Sequence, residues 1–202
     1  MSERPPGAPS DIADAGLAGA GSARIGWAQR SMPVLTGIGK VFVREKPLAG
    51  HTVAACLHVT AETAVLVQTL RAGGAQVYLA ASNPLSTQDD IAAALDACGA
   101  AVVFARAGAD RAAYTEHIHR ALDAGPDLVV DDGGDLMEAL HGERPDLLGK
   151  VLGGCESTTA APQASSAAAM SSWVDSGFEA ARNTRAPPAC QARTRTAVSA
   201  VT

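Results

Sequence analysis

His58, Thr60, Glu62 and Thr63 fall in one short run, Cys56-Leu57-His58-Val59-Thr60-Ala61-Glu62-Thr63. An imidazole changes charge near neutrality and can act as a general acid or base. The residues just upstream, Val53 to Leu57, are apolar without alternation, the pattern of a parallel strand covered on both faces. Ligands of open α/β sheets bind outside the carboxyl ends of such strands, so this run is a candidate site. A simpler reading stands beside it: Thr60 caps the helix that begins with Ala61-Glu62-Thr63-Ala64, and Glu62 complements the helix dipole.

Three further polar clusters follow apolar runs: Ser82 with Asn83, Asp131 with Asp132, and Cys155 with Glu156. In a parallel sheet all of them gather on one rim with His58. The run Asp131-Asp132-Gly133-Gly134-Asp135 suits a hard cation with a phosphate partner, or a carboxylate on ribose hydroxyls, or a turn whose carboxylates cap a helix. His117 and His119 are two apart on a helical stretch and point to different faces; they read as solvated, as do His51 and His141 at turn edges. Cys56, Cys98, Cys155 and Cys190 form no C-x-x-C pair, so zinc is unsupported.

The elements that must carry these residues alternate. Asp11 reads as the cap of a helix over about Ile12–Gln29, weakened by Gly16, Gly19, Gly21 and Gly26. A second helix runs from Met32 to about Phe42. Lys46-Pro47-Leu48-Ala49-Gly50 turns into a strand over 52–57, and a helix over 61–72 stops at Gly73-Gly74. A strand at Gln76–Ala80 follows, then Ser86-Thr87-Gln88-Asp89 reads as a capping box for a helix at Asp90–Ala97. The remaining strands are expected at Ala101–Ala105, Asp127–Asp131 and Lys150–Gly153. Asp110 caps the helix between the first two of these, and Asp135 caps a short helix to His141. The fold class is therefore α/β: a Rossmann- or flavodoxin-like parallel sheet of about five strands with helices on both faces, preceded by N-terminal helices.

The chain has 202 residues, is 47% hydrophobic and only 3% aromatic, which gives one domain, or a domain plus a tail, with a core of Ala, Val, Leu and Ile. A net charge of −5 argues against nucleic acid as a partner. No apolar run reaches the length of a membrane span, and no secretion signal is legible, so a reduced, cytoplasmic setting is expected.

Read in order, these motifs resemble the substrate-binding part of adenosylhomocysteinase (S-adenosylhomocysteine hydrolase), in its prokaryotic form. The resemblance runs from Asp11-Ile-Ala-Asp-Ala-Gly-Leu-Ala through Met32-Pro-Val-Leu, Lys46-Pro-Leu-Ala-Gly, Cys56-Leu-His-Val-Thr-Ala-Glu-Thr and Ser82-Asn-Pro-Leu-Ser-Thr-Gln-Asp-Asp. It ends with Asp131-Asp-Gly-Gly-Asp-Leu and Gly153-Gly-Cys-Glu. It implies reversible hydrolysis of S-adenosylhomocysteine to adenosine and homocysteine, through oxidation of the ribose 3′ position by bound NAD. It also implies roles. Thr60 and Glu62 hold the nucleoside, with Glu62 at the ribose. His58 does acid–base work near the 5′ position, and Asp132 assists proton transfer and binding. Thr63, Asn83, Ser86, Gln88, Glu156 and Thr158 complete the substrate-binding set.

The sequence departs from that family in two places. Ser157 stands where the family has a second Glu that contacts adenine, and after Thr159 the ribose-site Lys and Asp and the NAD domain are missing. No G-x-G-x-x-G occurs anywhere in the chain, so no NAD is expected to bind it. The expected organisation is a disordered leader over 1–10, a substrate-binding domain over 11–159, and a low-complexity tail over 160–202. That tail has at most a weak helix near Ser172–Arg182 and reads as an out-of-frame translation or a natural flexible extension. The expected function is a truncated adenosylhomocysteinase without turnover of its own. The alternatives are a module that binds adenosine or S-adenosylhomocysteine weakly, or an interaction fragment prone to self-association through exposed apolar surface. A phosphoacceptor domain shares the sheet plan, but the His-x-Thr-x-Glu-Thr run has no place in it.

Overall fold

The computed structural model describes residues 9–156. The expectations for residues 1–8 and 157–202, including those for Ser157, Thr158 and the tail, lie outside the described residues.

Six parallel strands form one sheet in the order β1-β4-β3-β2-β5-β6. The strands are β1 Asp11–Ile12, β2 Thr52–Leu57, β3 Gln76–Ala81, β4 Val102–Ala105, β5 Leu128–Asp131 and β6 Gly153–Glu156. The helices are α1 Ala18–Arg30, α2 Pro33–Glu45, α3 Ala61–Ala72, α4 Asp89–Ala97, α5 Arg111–Leu122 and α6 Asp135–Gly142. The α/β class and the helices on both faces agree with the sequence reading. From β2 the chain winds outward through β3 to β4, then crosses back to place β5 on the other side of β2. The strand order thus reverses between β2 and β5, the topological switch point where α/β sheets open a crevice.

The small side chains of β2 let helices approach both faces. Val53, Ala55 and Leu57 pack with residues of α1, α3 and α4. Ala54 and Cys56 face the opposite core with residues of α5 and α6. Alternation sends successive residues to opposite faces, and both faces are covered, so the strand reads as a continuous apolar run. Gly21 explains one of the glycines in α1: a Cβ there would lie 1.9 Å from the backbone oxygen of Asp90 on α4. No other residue permits that crossing of α1 over α4.

Several expectations are corrected. Asp11 caps no helix; it lies in β1, a two-residue strand paired with Phe104 and Ala105 of β4, and α1 starts only at Ala18. Asp14 accepts the Gly16 amide at 2.7 Å and caps a short 3-10 turn instead. The expected strand at Lys150–Gly153 is displaced to Gly153–Glu156. The capping box before α4 does not form: Gln88 is the N-cap residue and makes no side-chain capping bond, because the Ser86 and Thr87 hydroxyls donate back to the Asn83 carbonyl at 3.2 and 3.0 Å. Asp135 is the first residue of α6 rather than its cap.

His117 is not solvated. It is 2% exposed, and its Nε2 lies 3.1 Å from Asp11 Oδ2. Arg106 and Arg120 reach the same carboxylate, so β1 is held by charge as well as by its ladder. Burial acts to raise the Asp11 carboxyl, but hydrogen bonds from His117 and Arg106 outweigh it and hold the group below its ordinary range. His119 is also partly covered, 2.9 Å from Glu143.

Candidate functional site at the switch point

The helix after β2 begins as the sequence suggests. Thr60 is extended and its hydroxyl oxygen accepts the Thr63 amide at 3.4 Å, with the two threonine hydroxyls 3.5 Å apart. Glu62 is exposed in the first turn of α3. The capping reading and the site reading therefore coexist: Thr60 caps α3, and the same turn projects His58 and Glu62 onto the rim.

His58 is gripped from two strands. Its Nδ1 lies 3.1 Å from Ser86 Oγ, on the segment after β3. Its Nε2 lies 3.5 Å from Asp132 Oδ2, just past β5. Ser82 Oγ donates to that same carboxylate oxygen at 3.4 Å. His58, Ser82, Ser86 and Asp132 thus meet across the β2–β5 switch point. Ser86 also donates to the Asn83 carbonyl, so its one hydroxyl proton can serve that carbonyl while Nδ1–H is donated to it, or serve Nδ1 when that nitrogen is bare.

Asp131, next to Asp132, has the opposite environment. It is fully buried, and its carboxylate accepts the Asp132 amide at 2.9 Å and the Met137 amide at 2.8 Å. It is the group that caps α6. Burial first, against those two amides, and then the Glu156 and Asp135 charges push its carboxyl up to about 6. Asp131 shapes the turn, while Asp132 faces His58.

Other expected site residues are spent on building the rim. Asn83 Oδ1 accepts the Leu85 amide at 2.9 Å. Gln88 Oε1 accepts from Arg24 of α1 at 2.7 Å, and Arg24 also pairs with Asp90. Glu156 Oε1 accepts the Gly133 amide at 2.8 Å. The sequence reading noted Ser82 but did not place it in the site, and it missed Tyr114. The phenol of Tyr114 donates to Asp135 Oδ2 at 2.5 Å, and no sequence motif marks it.

The β5–α6 turn does not suit a pyrophosphate. The glycine-rich turn between β5 and α6, with Gly133 and Gly134 at φ 110° and 90°, resembles a phosphate-binding turn in backbone alone. Its Gly133 amide is already bound to Glu156, and Asp131, Asp132 and Asp135 flank it. A pyrophosphate there would meet carboxylates instead of free amides. Among the described residues, no group of three or more His, Cys, Asp or Glu side chains is placed to hold a metal ion. No helix among them is long and apolar enough to cross a membrane.

A doubly wound parallel sheet with a histidine–carboxylate pair at its switch point defines a Rossmann-like domain. Comparison with known proteins gives the family. The profile of S-adenosyl-L-homocysteine hydrolase matches residues 9–170, and the chain belongs to that family. It is similar to adenosylhomocysteinase of Aquifex aeolicus (strain VF5), 54% identical over 149 residues that make up 74% of this chain and 36% of that protein. It is similar to S-inosyl-L-homocysteine hydrolase of Methanosarcina mazei, 53% identical over 69% of this chain and 34% of the relative. Adenosylhomocysteinase of Aeropyrum pernix is 51% identical over 73% and 35%. The chain spans about a third of the length of these curated relatives.

Proposed function

We propose that residues 11–159 form a nucleoside-binding domain of the adenosylhomocysteinase type, taking adenosine or S-adenosylhomocysteine at the β2–β5 crevice. The carrying observation is the placement of His58 and Asp132, 3.5 Å apart, across the switch point, within a chain of this family. Thr60, Glu62 and Asp132 hold the nucleoside, with Glu62 on the ribose hydroxyls. Thr63, Asn83, Ser86, Gln88, Glu156 and Thr158 shape or line the site. His58, held by Ser86 and Asp132, is placed to give or take a proton near the 5′ position of a bound ligand.

The family's chemistry calls on NAD, which accepts hydride from the ribose. The carboxylates at the β5–α6 turn oppose a pyrophosphate there, and the sequence carries no G-x-G-x-x-G; on this reading the chain binds the nucleoside without turnover. The test is calorimetry with adenosine, followed by incubation with S-adenosylhomocysteine and added NAD. Binding without release of adenosine supports the reading. Measurable release by the pure chain overturns its inactivity.

A second reading concerns the base. Relatives described as S-inosyl-L-homocysteine hydrolases are 53%, 52% and 45% identical to this chain, and Ser157 replaces the glutamate that the family resemblance puts on adenine. Inosine binding more tightly than adenosine would move the assignment to hypoxanthine.

A further inference from the structure

One phenol oxygen reaches two of the strand-end segments of the site. Tyr114, on α5, donates to Asp135 Oδ2 at 2.5 Å and lies 3.3 Å from the Ser82 backbone carbonyl. Cys56 of β2 lies in the core cluster against which the Tyr114 ring packs. Cys56 precedes His58 by two residues in the β2 segment. Ser82 follows β3 and donates to Asp132. Asp135 follows Asp132 by three residues in the β5–α6 turn. The ladders that fix these strands end at Leu57 and Ala81 on one side of β2, and at Cys56 and Asp131 on the other. The residues that do the chemistry lie just beyond them.

We infer that Tyr114 is a positioning residue of the site: its hydroxyl ties the ends of β3 and β5 together while its ring packs in the core that holds Cys56 of β2, and so sets the geometry of His58, Ser82 and Asp132. Three observations carry this. The phenol oxygen meets both the segment after β3 and the β5–α6 turn. The bond to Asp135 is charge-assisted, so the single proton goes to that carboxylate rather than to the Ser82 carbonyl. The ring is partly buried against the α5–α6 core, so the hydroxyl is aimed by packing. Burial and then the Asp135 bond also keep the phenol protonated, as a donor must be.

That the positioned site takes a nucleoside rests on the proposed function; that Tyr114 positions it does not. The experiment keeps the two apart. Amide hydrogen exchange of the full chain is compared between wild type and Tyr114→Phe, which keeps the ring and the core volume. Peptides across 82–88 and 131–137 are expected to exchange about tenfold faster in the variant, with those across α1 and α4 unchanged. Adenosine affinity is expected to fall by about the same factor. Asp135→Ala removes the phenol's partner from the exposed side and is expected to give the same confined acceleration. Unchanged rim exchange in either variant overturns the inference. So does acceleration spread evenly along the chain, or a Phe variant that does not fold, since each makes the hydroxyl a support of the whole fold. Wild-type protein that ignores adenosine removes the nucleoside reading, and the exchange data still decide the role of Tyr114.

Discussion

His58 Nε2 and Asp132 Oδ2 lie 3.5 Å apart, although 74 residues separate them in sequence, because β2 and β5 are adjacent and in register from Val53–Leu128 to Cys56–Asp131. The pairing of Cys56 with Asp131 brings the two strand ends level, so whatever follows each strand must meet. This register makes a site of two residues that are unremarkable apart.

The ribose role of Glu62 has a ligand-side test. Glu62→Ala is expected to weaken adenosine about tenfold, the cost of a lost charge-assisted hydrogen bond. With 2′,3′-dideoxyadenosine, wild type and variant should bind alike, since the carboxylate then has no hydroxyl to hold. An equal loss for both ligands would place Glu62 elsewhere.

Glycines in α1 should divide by what lies over them. Gly21→Ala puts a Cβ 1.9 Å from the Asp90 carbonyl oxygen, and forcing α1 off α4 should cost on the order of 1–3 kcal/mol. A Cβ added at Gly19 would meet nothing within 4 Å, so Gly19→Ala should stabilise by about 0.5–1 kcal/mol through helix propensity. Urea denaturation of both variants measures the contrast.

The two unusual carboxyls should bend the pH profile in opposite directions. Asp131 has a folded value of about 6, above its unfolded value. Its contribution is therefore full below about pH 4 and is lost as pH rises through about 6, on the order of 2–3 kcal/mol. The stability gap between wild type and Asp131→Asn should shrink by that amount between pH 4 and 7; a pH-independent gap would contradict it. Asp11, held low by His117 and Arg106, supplies stability that is lost as pH falls through its folded value.

The outer face of α2 is apolar. Val34 is 77% exposed, and Ile38 and Val41 share its stripe at helical spacing. Concentration-dependent self-association is expected in sedimentation, and Val34→Glu with Val41→Glu should leave a monomer. Wild type that stays monomeric at high concentration would contradict this.

Much of this was legible in the sequence, and the reasons differ by element. β2 and α3 fall where the sequence puts them, because the unbroken Val53–Leu57 run and the Thr60 cap are both local signals. The missed β1 has two residues and no period; it is pinned by Arg106, His117 and Arg120, which are distant in sequence. The false capping box shows the same limit: the spacing of Ser86 and Asp89 is right, but His58 and the Asn83 carbonyl claim the serine. The rim clusters were found because strand ends are visible as changes from apolar to polar. Tyr114 was not, since its partners, Ser82 and Asp135, lie on two other segments.

The most direct measurement is isothermal titration of adenosine into the full chain, with Asp132→Asn as the control. Saturable binding in wild type, weakened about tenfold in the folded variant, is the expected result. No heat from folded wild type at millimolar adenosine, or equal affinity in both proteins, would contradict a nucleoside site built on the His58–Asp132 pair.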